Sequence, residues 1–312
     1  MNSRRHTILL LTCSVLLAAA CVCDLTWGGR ANEEIMLYLR LPRTTTALLA
    51  GAAMSLSGSQ MQSIFRNPLA DPHIMGISSG AALGAAISTM YAGAAIGGAP
   101  IAMSSAIGAG AAATVILYAS RRFSSASVLL IFGVMLGFIV TAAVSILQFS
   151  SDAESLKTYY SWSAGSFSNT TWTEAVIITG ALIAGLTISL CNHKGLDLIL
   201  FGDEFTELAG GRPSKIRLWA LLSCSLMTGA VTAFCGPIGF VGIIGPHIAK
   251  GLLGSSSHKA TLPFSLLTGG LIGVCADLIS RMPHSPMPVA STMALVGIPV
   301  ILYIMLKKPS YE

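Results

Sequence analysis

The chain has 312 residues, of which 53% are hydrophobic and 10% charged, with a net charge of +5. Soluble domains carry about 25% charged residues, and the mean hydropathy here is +0.73. This excludes a soluble domain and predicts an all-α polytopic membrane protein. The basic residues stand singly or in pairs between apolar runs, as in loops on the cytoplasmic side of a bilayer, not as a nucleic-acid patch.

Arg4-Arg5 and the apolar run after them predict a first helix over 7–23, retained although Ala18-Ala19-Ala20-Cys21 brushes a lipoprotein cleavage site. A charged loop, 24–43, follows. From Thr44 to Ile64 there is no charge, which is long enough to span a bilayer, and the second helix is placed at 44–65. Its small residues (Gly51, Ala52, Ala53, Ser55, Ser57, Gly58, Ser59) suit packing against other helices. Arg40-Leu-Pro-Arg43 precedes it, and a polar turn from Arg66 to Pro72 follows.

Further helices are expected at 74–91, 97–119, 127–149, 174–191, 218–235, 238–253, 262–280 and 289–306. That makes about ten crossings in one transmembrane domain, 1–312. The polar stretch 150–173, with Tyr159, Tyr160 and Trp162, suits an interfacial helix. With the N-terminus inside, Arg4, Arg5, Arg66, Arg121, Arg122, Lys194, Arg212, Lys215, Arg217, Lys250, Lys259, Lys307 and Lys308 fall on the cytoplasmic side. Only Arg30, Arg40, Arg43, Lys157 and Arg281 fall outside, so both termini are expected in the cytoplasm.

Residues 49–58 of the second helix echo 227–236 of the seventh, in segments that cross in opposite directions. Such inverted repeats mark transporters. An ion-coupled secondary transporter is therefore one reading of the chain.

Catalytic and metal motifs are sparse. No Walker or His-Glu-x-x-His pattern occurs. Gly76-Ile-Ser-Ser-Gly80 fits G-x-S-x-G, but it opens an Ala/Gly-rich helix without the strand that chemistry needs. The seven cysteines lack metal-ligand spacing, and no metal site is expected. His247 reads as an interfacial hydrogen-bonder, and Asp277 is four residues from Arg281, within pairing reach along one helix face. In the segment Phe201 to Arg212, Asp203 can cap a helix, Glu204 suits its first turn and Gly210-Gly211 can end it. Phe205, Leu208 and Ala209 would share one bare face, fit for a membrane surface or for a partner's groove.

The strings RLPR, SGSQMQSIFRNPLADPHIMGISSGAALG, GDEFTELAGGRPSKIR, GPIGFVGIIGPHIAK and ADLISR, in this order, resemble the FecCD/BtuC family of type II ABC importer permeases. The resemblance covers nearly the whole chain. It implies a homodimer of ten-helix subunits in the bacterial inner membrane, two ATPase subunits, an extracytoplasmic binding protein and no cofactor of its own. The implied cargo is a ferric siderophore, with cobalamin or haem as alternatives.

The resemblance also implies roles for individual residues. Arg40, Arg43 and Arg281 match arginines that dock the binding protein. Asp203, Glu204, Phe205, Leu208, Ala209 and Gly210 match the helix (203–210) that couples to the ATPase. Ser124 and Ser125 fall at the cytoplasmic gate, with the fifth helix along the path. Between the ninth and tenth helices, where the family often has a longer Leu- or Ala-rich approach, this chain has Pro-rich 282–288.

Overall fold

A hydrocarbon environment leaves no water to satisfy backbone groups, so helices must do it internally. The computed structural model describes residues 3–27, 32–91, 98–123, 125–282 and 287–306, and side chains throughout these except 3–5 and 303–305. Ser124, Arg30, Lys307, Lys308 and residues 283–286 lie outside the described residues, as do the side chains of Arg4 and Arg5.

The principal helices are α1 (Ser3–Thr26), α2 (Leu41–Ile64), α3 (Ile77–Tyr91), α4 (Gly98–Arg122), α5 (Ala126–Phe149), α6 (Ala153–Ser163), α7 (Trp172–Cys191), α8 (His193–Ile199), α9 (Asp203–Leu208), α10 (Pro213–Cys235), α11 (Val241–Leu253), α12 (His258–Ser280) and α13 (Val289–Leu306). A short helical turn (Glu33–Ile35) and a π-helical one (Met36–Arg40) lead into α2, so much of the segment expected as a loop over 24–43 is helical. Among the described residues, 6 helices (α1, α4, α5, α7, α10, α12) are long and apolar enough to cross a membrane, and α11 and α13 are shorter apolar helices. The interfacial stretch forms α6, N-capped by the Asp152 carboxylate, which accepts from the amides of Glu154 and Ser155.

The central helix α2 is absent from the apolar group although it has 24 residues. Every residue from Ala50 to Ile64 is buried. A helix enclosed by other helices needs close packing, not hydropathy, and its glycines and its Ser and Gln side chains serve that end. The pairing with α12 is tight enough that a methyl at Gly51 would fall on the Gly269 carbonyl, and one at Gly273 on the Ala47 carbonyl. At Gly58 a methyl would fall on the Gly242 carbonyl of α11. Gly58→Ala should therefore force α2 and α11 apart and cost about 1–3 kcal/mol or more. Thermal unfolding in detergent measures this, and a wild-type transition would show that the two backbones have room.

Two breaks in the helical path meet inside the bundle. After α2 the chain turns at Arg66, which has a positive φ of 48°, and returns into the bundle through a 3-10 turn at Pro72–Met75. Met75 packs on Gly133, in the interior of α5. The third helix thus begins at Ile77, not at 74, because Pro72 and the left-handed Gly76 (φ 78°) delay it. After α10, Gly236 (φ 73°) and Pro237 break the chain until Phe240 (φ 70°) starts α11. The breaks touch where His73 faces Gly239 and Asp71 faces Gly242. Helices α2 and α10, which carry the echoed segments, run in opposite directions and each leads into one break.

The first helix continues past its expected end at 23. Asp24 lies inside it and is fully buried. A charge there reads as the start of a loop, but Arg281 of α12 neutralises it within the bundle.

Candidate functional site

The two ends of the α2–α12 pair each carry a polar cluster. At one end, Arg43 in the first turn of α2 donates from Nε and Nη2 to Asp277 Oδ1 at 2.9 and 2.7 Å, and from Nε to Oδ2 at 2.8 Å. Asp277, near the end of α12, is fully buried, and the Arg43 side chain is 17% exposed. Arg281 meets Asp277 Oδ2 at 3.1 Å, the pairing its four-residue spacing predicts. Arg281 also pairs with the Asp24 carboxylate and donates to the Asp24 carbonyl at 3.1 Å. Thr44 donates to the same carboxylate. Two guanidinium groups thus face two carboxylates, and α1, α2 and α12 are tied together.

The three arginines matched to docking roles are therefore placed differently. Arg43 and Arg281 come together, but their charge is balanced within the chain. Arg40 stands apart at half-buried exposure, and its Nη1 donates to the Leu25 carbonyl at 2.7 Å. Asp24, which sequence reasoning left as one charge among several, is the residue that completes the network. A cavity of about 520 Å³ opens between α4, α6 and α10, lined by Ile101, Glu154, Lys157, Trp162 and Glu174 among others. Glu174 is occupied by the capping box of α7 with Thr171.

The opposite end holds Arg121, Arg122, Lys194, Arg212 and Lys215 and is the basic end of the bundle. Here α9 is short because Gly202 (φ 105°) opens it and Gly210 (φ 81°) ends it. Thr206, its buried residue, donates to the carbonyls of Gly202 at 2.6 Å and Leu198 at 3.2 Å, fixing α9 on α8. Asp203 pairs with Arg217, which is buried at the start of α10. Glu204, Phe205, Leu208, Ala209 and Gly210 face outward, with Leu208 88% and Phe205 48% exposed. Phe201 packs on Phe205 with ring centroids 5.2 Å apart and is itself exposed. The helix is held from beneath by polar contacts and presents a bare apolar ridge. Ser125 is the exposed residue before α5.

A second polar chain at this end was invisible in the sequence. His258, the first residue of α12, approaches Asp197 of α8 with Nδ1 at 2.6 Å and donates its backbone N–H to the same oxygen at 2.7 Å. Its Nε2 lies 2.6 Å from Ser63 Oγ in the last turn of α2. Burial raises the Asp197 pKa, but the hydrogen bonds and the positive field from His258 outweigh it and hold the carboxyl below its ordinary value. No group of His, Cys, Asp and Glu that could hold a metal occurs among the described residues.

A polytopic bundle with helix breaks meeting inside it, a charged cluster at one end and a bare amphipathic helix at the other defines a membrane transport permease. The FecCD transport family model matches residues 6–307. The chain belongs to that family and is an ABC importer permease of the FecCD/BtuC type. It is similar to the hemin transport system permease protein HmuU of Yersinia pestis, 33% identical over 90% of this chain and 87% of that one. It is also similar to the vitamin B12 import system permease protein BtuC of Citrobacter koseri, 30% identical over 98% and 96%. Among solved structures, a metal-chelate type ABC transporter in an inward-facing conformation matches with a TM-score of 0.88 at 26% identity, over 96% of this chain and 99% of that one. PsaBC from Streptococcus pneumoniae shares the fold, with a TM-score of 0.56 at 16% identity.

Proposed function

We propose that this chain is the membrane subunit of an ATP-driven importer for a metal chelate, and that the cargo is a ferric siderophore. The observation that carries the reading is the bare ridge of Phe205 and Leu208 on α9, at the basic end of a chain that matches importer permeases from end to end. In this reading two copies form the pathway in the bacterial inner membrane. The basic end and both termini face the cytoplasm, in keeping with the excess of Lys and Arg there. Two ATPase subunits receive α9, and Ser124 and Ser125 sit at the cytoplasmic gate. An extracytoplasmic binding protein lands on the arginine end.

Arg40 is the docking cation whose charge no carboxylate among the described residues offsets, whereas Arg43 and Arg281, neutralised by Asp24 and Asp277, hold the helix ends that surround it. Charge reversal at Arg40 and Arg43 should abolish uptake, whereas Arg40→Glu alone should weaken docking at least tenfold without loss of fold. Binding-protein affinity for the detergent-purified complex measures it, and unchanged affinity in Arg40→Glu would remove the docking role.

Relatives handle hemin and vitamin B12, so cargo is decided by uptake of labelled ferric siderophore, haem and cobalamin in a deletion strain. Restored siderophore uptake is expected. Restoration of haem or cobalamin uptake instead would replace the cargo and leave the transport mechanism standing.

A further inference from the structure

The order Ser63–His258–Asp197 is that of a nucleophilic triad, but hydrolysis is excluded by its setting. Ser63 and His258 are both 0% exposed, and Ser63 Oγ also donates to the Ser59 carbonyl within its own helix at 2.9 Å. No substrate reaches that oxygen. The chain of side chains must do its work through what it connects.

It joins three elements at one point. Asp197 stands on α8, whose Leu198 carbonyl anchors Thr206 of α9. His258 opens α12, and its backbone N–H as well as its ring is held by Asp197. Ser63 closes α2. From there α2 and α12 run side by side with no space for a methyl at Gly51, Gly269 or Gly273, so neither slides past the other without opening the interface. At the far end Arg43 of α2 and Asp277 of α12 lock the same two helices again.

We infer that Asp197, His258 and Ser63 are positioning residues that convey displacement of α9 to the α2–α12 pair, and through it to the arginine cluster at the other end. The inference rests on the reading of α9 as the ATPase-facing helix. The physical basis is a contiguous set of rigid elements joined by the buried Ser63–His258 contact and by the partly buried hydrogen bonds of Asp197 and Thr206, which transmits a shift that loose packing would absorb.

The test uses the complete importer, with its ATPase and binding protein, in proteoliposomes. His258→Ala cuts both links. His258→Asn keeps a donor near the Nδ1 position for Asp197 and loses the link to Ser63, and Ser63→Ala removes one hydroxyl. Stimulation of ATP hydrolysis by the loaded binding protein, relative to the unstimulated rate, is expected to fall about tenfold in His258→Ala and by a smaller factor in the other two. Retention of the ATPase on purification should be unchanged, a split that simple loss of stability does not produce. Full stimulation and normal transport per ATP in His258→Ala overturns the inference. If that variant does not fold, Ser63→Ala decides, and full stimulation there overturns it. Leu208→Glu run in parallel separates the two levels: ATPase lost from Leu208→Glu with stimulation intact in His258→Ala sinks the transmission role alone. ATPase retained on Leu208→Glu sinks the reading of α9 beneath it.

Discussion

Replacing Asp277 with alanine is expected to destabilise the protein by about 3–5 kcal/mol, the cost of removing one partner from a buried ion pair. Asp277 is shared: Arg43 grips both its oxygens and Arg281 leans on Oδ2. Without it, Arg281 keeps the Asp24 carboxylate while Arg43 loses the carboxylate it grips, and an uncompensated positive charge is left beside Arg281 in a poorly solvated place. Asp277→Asn keeps the shape and removes the charge, so it should fall between the wild type and alanine. Exchanging Arg43 and Asp277 together for apolar residues of similar volume should recover much of the loss, because no unpaired charge from that pair then remains. Thermal unfolding of the purified protein ranks these variants. A wild-type transition in Asp277→Ala would show that the cluster does not hold the helix ends together.

The second large effect is expected on assembly and not on stability. Leu208→Glu and Phe205→Glu should each weaken association with the ATPase by about 2 kcal/mol or more, on the order of thirtyfold, as central apolar anchors of an interface do. Leu208 is 88% exposed, so Leu208→Glu should leave the permease alone unfolding as the wild type does, and Phe205→Glu gives up only the exposed ring contact with Phe201. Thr206→Val is the contrast. Its hydroxyl ties α9 to Leu198 from below, so loss there should loosen the helix on its base without touching the exposed ridge. Pull-down of the ATPase by tagged permease reads the difference, and equal capture by Leu208→Glu and wild type would contradict the role given to α9.

The parts of this molecule that were legible from the sequence are those written locally. The charge-free, small-residue run of α2 announces a helix packed among helices, and Glu204 in the first turn and Gly210 at the end of α9 stand as their residue types suggest. Asp203 does not cap the helix as expected, because Gly202 takes the N-cap position and the Asp203 carboxylate is held by Arg217 instead. Helix α2 also shows where hydropathy falls short, since a crossing wholly enclosed by protein is not obliged to be greasy. The delayed start of α3 was partly readable from Pro72 and Gly76, although its depth in the bundle was not.

What stayed hidden is long-range pairing. Asp24 lies 257 residues from Arg281 and Asp197 lies 61 from His258, and no local period links them. Asp24 read as a loop charge because its neutralising partner arrives from the far end of the chain. Asp277 and Arg281, on one helix face, were the portion of the network that spacing alone revealed. The positive charge assigned to the outer mouth is accordingly redistributed. Arg40 carries it unopposed by a carboxylate among the described residues, while Arg43 and Arg281 are first of all fasteners of α1, α2 and α12.

ATP-driven import is tested most directly by uptake into proteoliposomes holding this chain with its ATPase, loaded binding protein outside and ATP inside. Labelled ferric siderophore is expected to enter only with hydrolysable ATP, and collapsing proton and sodium gradients should change nothing. Uptake that follows an ion gradient in the absence of the ATPase would contradict it.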